Sequence, residues 1–326
     1  MSEVSLFELL KEGDIDNCYQ FSDKASLGGK DLVEYLNTLL YYSVSIDWTS
    51  DIKDHPLIVI NSIKNILSDN RNKPSKILLN YCLDILIKGT IRDDIKYIDE
   101  IKNEGIASTV FVGNLEDSLQ SGDWDKAKIL AAKIFLASDR SRAVIDTIAD
   151  IGLQNIEHNG VFIFHLLRAF HFKQEKSQTW SYACCLIEIL RSKPIPYPHT
   201  RKELKPNELF DQIIACRNPD LLVSYMAMFR IWDGDYVRQN SYNREISHWL
   251  STKQSLLKKM KIKESKIAPD NDMDNNYIKI TEKIISQRVS FGQILKKITI
   301  LETIRYITKI RPDKNLYYYA NQIINS

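Results

Sequence analysis

Leucine and isoleucine recur along the chain at intervals of three and four residues. This spacing places apolar side chains on one face of an α-helix. Leu32, Leu36, Leu39 and Leu40 form one such stripe. No stretch shows sustained alternation of apolar and polar positions, which is the pattern typical of a half-buried β-strand. The chain is therefore predicted to be all-α.

Residues that end one helix and begin the next occur twice in the same order. A string of Leu, an acid and Leu is followed by Gly-Asp, at Gly13-Asp14 and again at Gly122-Asp123. Glycine readily adopts the left-handed conformation that ends many helices, and an aspartate can cap the helix that follows. We expect both features at both places.

Two more pairs of segments match in the same order, at a separation of roughly a hundred residues. Residues 56–61 align with 160–165, and residues 82–86 align with 185–189. Together the matches predict two pseudo-repeats of about four helices, arranged as an array of antiparallel helix pairs. Such an array resembles helical-repeat (α-solenoid) proteins, in which each unit buries a face against its neighbour.

The predicted organisation has three parts. A first helical unit covers 1–105, a second covers 106–192, and a C-terminal helical extension covers 193–326. Four prolines between 194 and 206 predict an extended crossing at the start of the extension, since each ring disfavours helix before it. A polar stretch near 263–276 has no periodicity and is predicted to be a loop.

A helix rich in lysine is predicted from about Asn243 to Lys261 and is expected to lie at the surface. The lysine-rich run from Lys253 to Lys266 is predicted to be a solvated helix face. The chain as a whole has 44 basic and 42 acidic side chains, a net charge of +2. This balance gives no global field for nucleic acid or an anionic membrane, so neither is an expected partner. A protein partner and a small-molecule ligand both stay open.

The most apolar stretch, 161–172, is too short and too polar to cross a bilayer. The first residues lack the features of a signal peptide, and five cysteines show no disulfide spacing. The expected location is cytoplasmic.

One helix, predicted over residues 159–174, carries candidate chemistry. His165, Arg168 and His171 fall within an arc of about 120° on its helical wheel. Glu188 is an acid in another apolar helix, and His55 precedes a helix-opening proline. These five residues are candidate catalytic groups in a pocket between the two predicted units, with histidine as acid or base and arginine as an anion clamp. Alternatively, they satisfy one another inside a helical core.

A metal site is not expected. His165 and His171 are six residues apart, too far around one helix to chelate an ion as an i, i+4 pair does. The sequence has no His-Glu-x-x-His, Cys-x-x-Cys or phosphate-loop motif, and it identifies no cofactor.

The string His55-Pro56-Leu57-Ile58, followed by a helix bearing His165 and His171, resembles the questin-oxidase-like group of helical proteins. That group carries a His-Pro-x-Ile-His string and a second histidine-bearing helix. The resemblance covers residues 30–190, with Val59 in the place of the second histidine of the string. It implies a helical scaffold and an oxidative activity.

Two functions are therefore expected from different classes. The first is a scaffold or adaptor that binds a protein partner through its helical surface, as solenoids commonly do. The alternative is an oxidoreductase-like enzyme with a His/Arg-lined pocket between the two helical units. No catalytic motif favours the enzyme, so the scaffold is the leading hypothesis.

Overall fold

A computed structural model describes most of the chain. The described residues are 4–87, 89–105, 109–258, 276–312, 316 and 320. Every regular element among them is a helix, and their only β-type pairing is an isolated antiparallel bridge between Ile46 and Ile91. The predicted all-α class is confirmed. The predicted loop near 263–276 lies outside the described residues apart from Asn276.

Sixteen α-helices occur in the described part of the chain. In chain order they are α1 (Leu6–Glu12), α2 (Ile15–Ala25), α3 (Gly29–Ser45), α4 (Pro56–Leu67), α5 (Lys76–Leu86), α6 (Ile95–Glu104), α7 (Val112–Ser121), α8 (Trp124–Ala137), α9 (Ala143–Leu153), α10 (Ile156–Phe170), α11 (Thr179–Leu190), α12 (Phe210–Cys216), α13 (Pro219–Trp232), α14 (Gln239–Leu257), α15 (Tyr277–Ile285) and α16 (Phe291–Ile310). None of these described helices is long and apolar enough to cross a membrane.

The two predicted Gly-Asp junctions have the expected geometry. Gly13 ends α1 with φ of +74°, and Gly122 ends α7 with φ of +76°. Asp14 and Asp123 then cap α2 and α8, each accepting a hydrogen bond from the backbone N–H three residues on, at 3.3 Å and 3.4 Å. The local prediction is confirmed, whereas the pseudo-repeat of whole four-helix units stays a prediction.

The chain divides into two compact units. Unit 1 comprises residues 1–91 and 263–326, and unit 2 comprises residues 92–262. The sequence-based scheme placed all of 193–326 in one extension, whereas here α15 and α16 belong to unit 1 and α12 to α14 belong to unit 2. The two schemes differ because α16 packs on α4, a contact between distant segments that local patterns do not reveal.

In unit 1 an ion pair between the buried Arg305 and the partly exposed Asp69 joins α16 to the turn after α4. Arg305 makes two hydrogen bonds of 2.6 Å to the carboxylate of Asp69, and Lys309 reaches the same carboxylate at 2.6 Å. Nearby, Asn65 of α4 donates to Glu302 of α16 at 3.0 Å. These polar contacts fix the register of the two helices.

In unit 2, α9 is the central helix, since all of its residues from Val144 to Leu153 are buried. It packs against α7, α8, α10, α11 and α14. Asp146, Asp150 and Gln154 follow one another at intervals of four, which places them in one row along the helix. This polar row lies in an otherwise apolar helix and needs polar partners.

Helix α14 supplies partners for that row. Tyr242 donates to the backbone carbonyl of Asp146 at 2.9 Å, and Arg238 and Arg244 approach Asp150. The prediction of a solvated surface helix in this region is therefore wrong for its first half. The buried side chains there are Tyr242, Glu245, Ile246, Ser247, Trp249 and Leu250. Only the last residues carry the lysine-rich pattern on which the prediction was based.

Candidate functional site

The three candidate residues of α10 have different surroundings. His165 is buried, with its ring 5.0 Å from that of Phe164. Arg168 is exposed. His171 is half-buried at the end of the helix, with Nε2 2.9 Å from a guanidinium nitrogen of Arg142 and Nδ1 2.7 Å from the Leu167 carbonyl. The arc predicted on the helical wheel therefore spans the interior and the surface.

The other two candidates have structural contacts of their own. Glu188 forms ion pairs with Lys128 and with Arg191, the latter at 3.4 Å. His55 belongs to unit 1, where it is buried and caps α4, its Nδ1 accepting a hydrogen bond from the Leu57 N–H at 3.2 Å. None of the five residues lines the pocket described next, and the oxidoreductase-like activity stays a prediction.

A pocket of about 180 Å³ lies in unit 2 between the start of α10, the middle of α14 and the proline-rich segment before α12. We call it the histidine pocket. Its lining includes Gln154, Pro196, His199, Glu245, His248 and Trp249. Pro196 and the lining residue Glu157 are exposed, so the pocket reaches the surface. Its inner wall is buried.

Glu245 is the buried anchor of this pocket, with only 1% of its surface exposed. Its carboxylate accepts hydrogen bonds from His199 Nδ1 at 2.7 Å, from the His199 backbone N–H at 3.1 Å and from Arg244 Nε at 2.8 Å. A carboxylate can only accept, so the His199 proton in this bond lies on Nδ1. The buried charge is thus fully paired.

The two imidazole rings of the pocket stack on each other. The centroids of His199 and His248 are 4.0 Å apart, with an interplanar angle of 16°. Burial, together with repulsion from His199, lowers the pKa of His248 below its ordinary value. His248 is therefore neutral near neutral pH. The stack presents a flat aromatic wall to the pocket.

Three buried polar atoms around the pocket have no hydrogen-bond partner among the described residues. They are Gln154 Oε1, His248 Nδ1 and Trp249 Nε1. Gln154 and Trp249 are 4% and 5% exposed, so bulk water does not reach them freely. An unpaired buried polar group typically destabilises a fold by about 1–3 kcal/mol. Three such atoms at one pocket are the feature that distinguishes it.

Long-range hydrogen bonds hold the segment that carries His199. Residues 193–205 form no helix, and their backbone groups take partners from side chains. Gln120 donates to the carbonyls of Ile195 and Pro196 at 3.0 Å and 2.7 Å, and the Lys202 N–H donates to Ser247 at 3.0 Å. The predicted extended crossing is confirmed here, and it fixes His199 against α14.

A charged network continues from the pocket along α9. Arg244, which pairs with Glu245, also lies 3.9 Å from Asp150, and Arg238 lies 3.6 Å from Asp150 and 2.5 Å from Glu116. Burial raises the pKa of Asp150 to about 6, although the two arginines oppose that shift. The network therefore links the pocket to the polar row of α9.

Metal binding has no geometric support among the described residues. No group of three or more histidine, cysteine, aspartate or glutamate side chains there has an arrangement able to hold an ion. In the histidine pocket the two rings are stacked face to face, and one ring nitrogen of His199 is engaged by Glu245. The pocket is instead suited to hydrogen bonding and aromatic stacking.

Sequence reasoning missed this site, although two signals were present. Glu245, His248, Trp249 and Thr252 follow at intervals that put them on one face of α14. The polar row of α9 ending at Gln154 is the second signal. Both signals indicate helices that bury polar side chains against a neighbouring helix. The site predicted from the sequence lay instead on the histidine-bearing helix α10.

The fold defines an all-α protein, and one of its two units has a small pocket whose largely apolar wall includes several polar side chains. Comparisons with protein-family models, with curated proteins and with solved structures find no match to this chain.

Proposed function

We propose that this protein binds a small molecule in the histidine pocket of unit 2. The observation that carries the proposal is the set of three unpaired polar atoms, on Gln154, His248 and Trp249, around one pocket. Ligand sites typically combine apolar and aromatic walls with a few polar groups that fix orientation. Here Glu245 and His199 are already paired, so they support the wall and leave the other three groups for a ligand.

The surroundings support a preformed site. Glu245 holds the His199 ring through the 2.7 Å hydrogen bond, and His199 in turn stacks on His248. Trp249 lies on the same helix as both Glu245 and His248. Helix α14 and the tethered proline segment set the positions of these side chains.

The proposal is tested by melting the protein in the presence of a library of one-ring compounds that includes neutral, anionic and cationic members. A ligand at ten times its Kd should stabilise the native state by about 1.4 kcal/mol. At least one compound should raise the melting temperature in a saturable manner.

A pair of variants on α14 localises the effect. Thr252→Trp places a large side chain at the pocket rim, whereas Ser255→Trp changes an exposed residue that does not line the pocket. Stabilisation should disappear in the first variant and persist in the second. Absence of any stabilising compound, or equal stabilisation of both variants, would contradict the proposal.

A protein-binding role is a second candidate, as part of an array of antiparallel helix pairs. Exposed apolar side chains on three neighbouring elements of unit 2 favour it. Ile95 of α6 and Phe111 just before α7 are 65% and 63% exposed, and Ile129 of α8 is 41% exposed. Helices α6 and α7 both pack on α8. Large exposed apolar groups are typical of interaction surfaces when they cluster.

Site-specific crosslinking tests this second role. A photoreactive amino acid at Phe111 should give one discrete crosslinked partner in cells, because an interface brings a defined surface to that position. The matched control is Leu27, which lies in unit 1 and is 79% exposed. The same crosslinks from both positions would refute a specific surface at Phe111.

A further inference from the structure

Resting on the proposed function, we infer that the ligand of the histidine pocket is a neutral one-ring compound that presents an amide edge, an N–H beside a C=O. The size of the pocket, the character of its unpaired atoms and its charges each restrict the ligand independently. Together they select this chemical class.

Pocket size limits the ligand to a single ring. The volume is about 180 Å³. A cavity of roughly 150 Å³ lined by apolar side chains can hold benzene, so this pocket accommodates a six-membered ring with a small substituent. The stacked rings of His199 and His248, and the indole of Trp249, favour a flat ligand.

The unpaired atoms require both an acceptor and a donor from the ligand. Trp249 Nε1 carries a hydrogen and can only donate, so it needs a ligand acceptor such as a carbonyl oxygen. Gln154 Oε1 can only accept, so it needs a ligand N–H. An amide edge offers the two groups side by side, and His248 Nδ1 can complete the set as donor or acceptor.

The charges around the pocket disfavour an ionic ligand. The lining acids are Glu157 and Glu245, and each already has a cationic partner, Lys253 and Arg244 respectively. A carboxylate ligand would approach two carboxylates whose cations are already engaged. A cationic ligand would have to compete with those same cations. A neutral ligand loses the least hydration free energy on entering the pocket.

Four compounds separate these effects: benzamide, benzoate and benzamidine, which have nearly equal shape, and benzene, which is the ring without a substituent. Calorimetric titration of the full-length protein should give benzamide the lowest Kd, by roughly tenfold over each of the others. If benzoate, benzamidine or benzene binds as tightly as benzamide, the ligand class is wrong while the binding site stands. If none of the four and no other one-ring compound binds, both proposals fail.

Uracil distinguishes two sources of the same edge. It carries N–H and C=O within the ring, whereas benzamide carries them outside it. Tighter binding of uracil assigns the site to ring lactams such as pyrimidines, and tighter binding of benzamide assigns it to exocyclic amides. Failure of both to bind more tightly than benzene overturns the inference.

Two conservative variants assign the hydrogen bonds. Trp249→Phe removes the indole N–H, and Gln154→Met removes the amide at nearly constant volume. Each should weaken benzamide binding by roughly tenfold and leave benzene binding nearly unchanged. The control is Trp48→Phe in unit 1, whose N–H donates to the Asp51 carbonyl at 3.0 Å. Equal losses for benzamide and benzene in the pocket variants would show that only apolar contact is involved.

Discussion

Each unit contains a cavity lined by polar side chains, and the two cavities differ in how those side chains are paired. In unit 1, a cleft beside α15 and α16 is lined by Asp69, Lys309, Ser75 and Glu282, among others. Asp69 is held by Arg305 and Lys309, and Glu282 accepts from Ser75 at 2.5 Å. In the histidine pocket of unit 2, the carboxylate of Glu245 is equally well paired, but three neutral groups have no hydrogen-bond partner in the described part of the chain.

This difference separates polar groups that are paired within the fold from those that we propose to bind a ligand. Asp69 of the unit 1 cleft and Glu245 of the histidine pocket each have a cationic partner within the fold, as the desolvation of a charge requires. None of the described side chains that line the unit 1 cleft has an unpaired buried nitrogen or oxygen. Of these two cavities, the histidine pocket alone has described lining side chains with unpaired buried polar atoms.

The largest expected effect concerns the ion pair of unit 1. Arg305→Leu should lower the free energy of unfolding by about 3 kcal/mol, because it removes two charge-assisted hydrogen bonds to the Asp69 carboxylate. The Arg305 side chain is 5% exposed, whereas Lys309, which reaches the same carboxylate, is 53% exposed. Lys309→Leu is therefore the matched control and should change stability by about 1 kcal/mol or less. Urea denaturation measures the free energy of unfolding of the two variants. Equal losses would contradict a structural role for the pair of Arg305 and Asp69.

Asp150 of unit 2 should make stability depend on pH. Burial raises its pKa to about 6, against the influence of Arg244 and Arg238. Folding thus favours the protonated form, so the contribution of Asp150 is fully present below its unfolded pKa, near 4, and is lost as the pH rises through about 6. Asp150→Asn should abolish this contribution, which changes the free energy of unfolding by up to about 3 kcal/mol between low and neutral pH.

The measurement is the free energy of unfolding of both proteins at about pH 4 and about pH 7, where the difference between variant and wild type should move in favour of the variant. Asp233→Asn, at an exposed position after α13, is the control and should follow the wild type. Parallel pH profiles for wild type and Asp150→Asn would show that Asp150 titrates alike in the folded and unfolded chains.

A smaller difference in stability is expected between variants of two buried tryptophans of unit 2. Trp180 Nε1 donates to the Asp94 carbonyl at 2.5 Å, whereas Trp249 Nε1 has no hydrogen-bond partner among the residues that the structure describes. Replacement of either by Phe loses a similar apolar area, but only Trp180→Phe leaves a carbonyl unpaired. Trp180→Phe should therefore destabilise the protein by about 1–3 kcal/mol more than Trp249→Phe. Equal destabilisation would mean that the Trp249 N–H is satisfied within the fold.

Local structure could be predicted from the sequence where one or a few adjacent residues decide it. Ser5 caps α1, Pro56 begins α4, and the glycines at 13 and 122 take the left-handed conformation. These outcomes depend on backbone preferences of the residues themselves. The all-α class followed from the periodicity of apolar positions in the same manner.

The histidine pocket depended on contacts that no local pattern contains. His199 lies in an extended segment, 46 residues before the Glu245 that orients it. The candidate residues of α10 shared a helical face, yet Arg168 is exposed and His171 pairs with Arg142, because neighbouring helices decide which part of the face is buried. Shared position on one helix does not by itself make a site.

The most direct test of the account follows the indole N–H of Trp249 by 1H–15N NMR. The chain has five tryptophans, and the spectrum of Trp249→Phe identifies the resonance of interest. We expect benzamide to shift the Trp249 indole resonance downfield in a saturable manner, because its carbonyl accepts the unpaired N–H, while the Trp48 resonance of unit 1 stays in place. A Trp249 resonance that does not respond to benzamide, uracil or any other one-ring compound would contradict ligand binding at the histidine pocket.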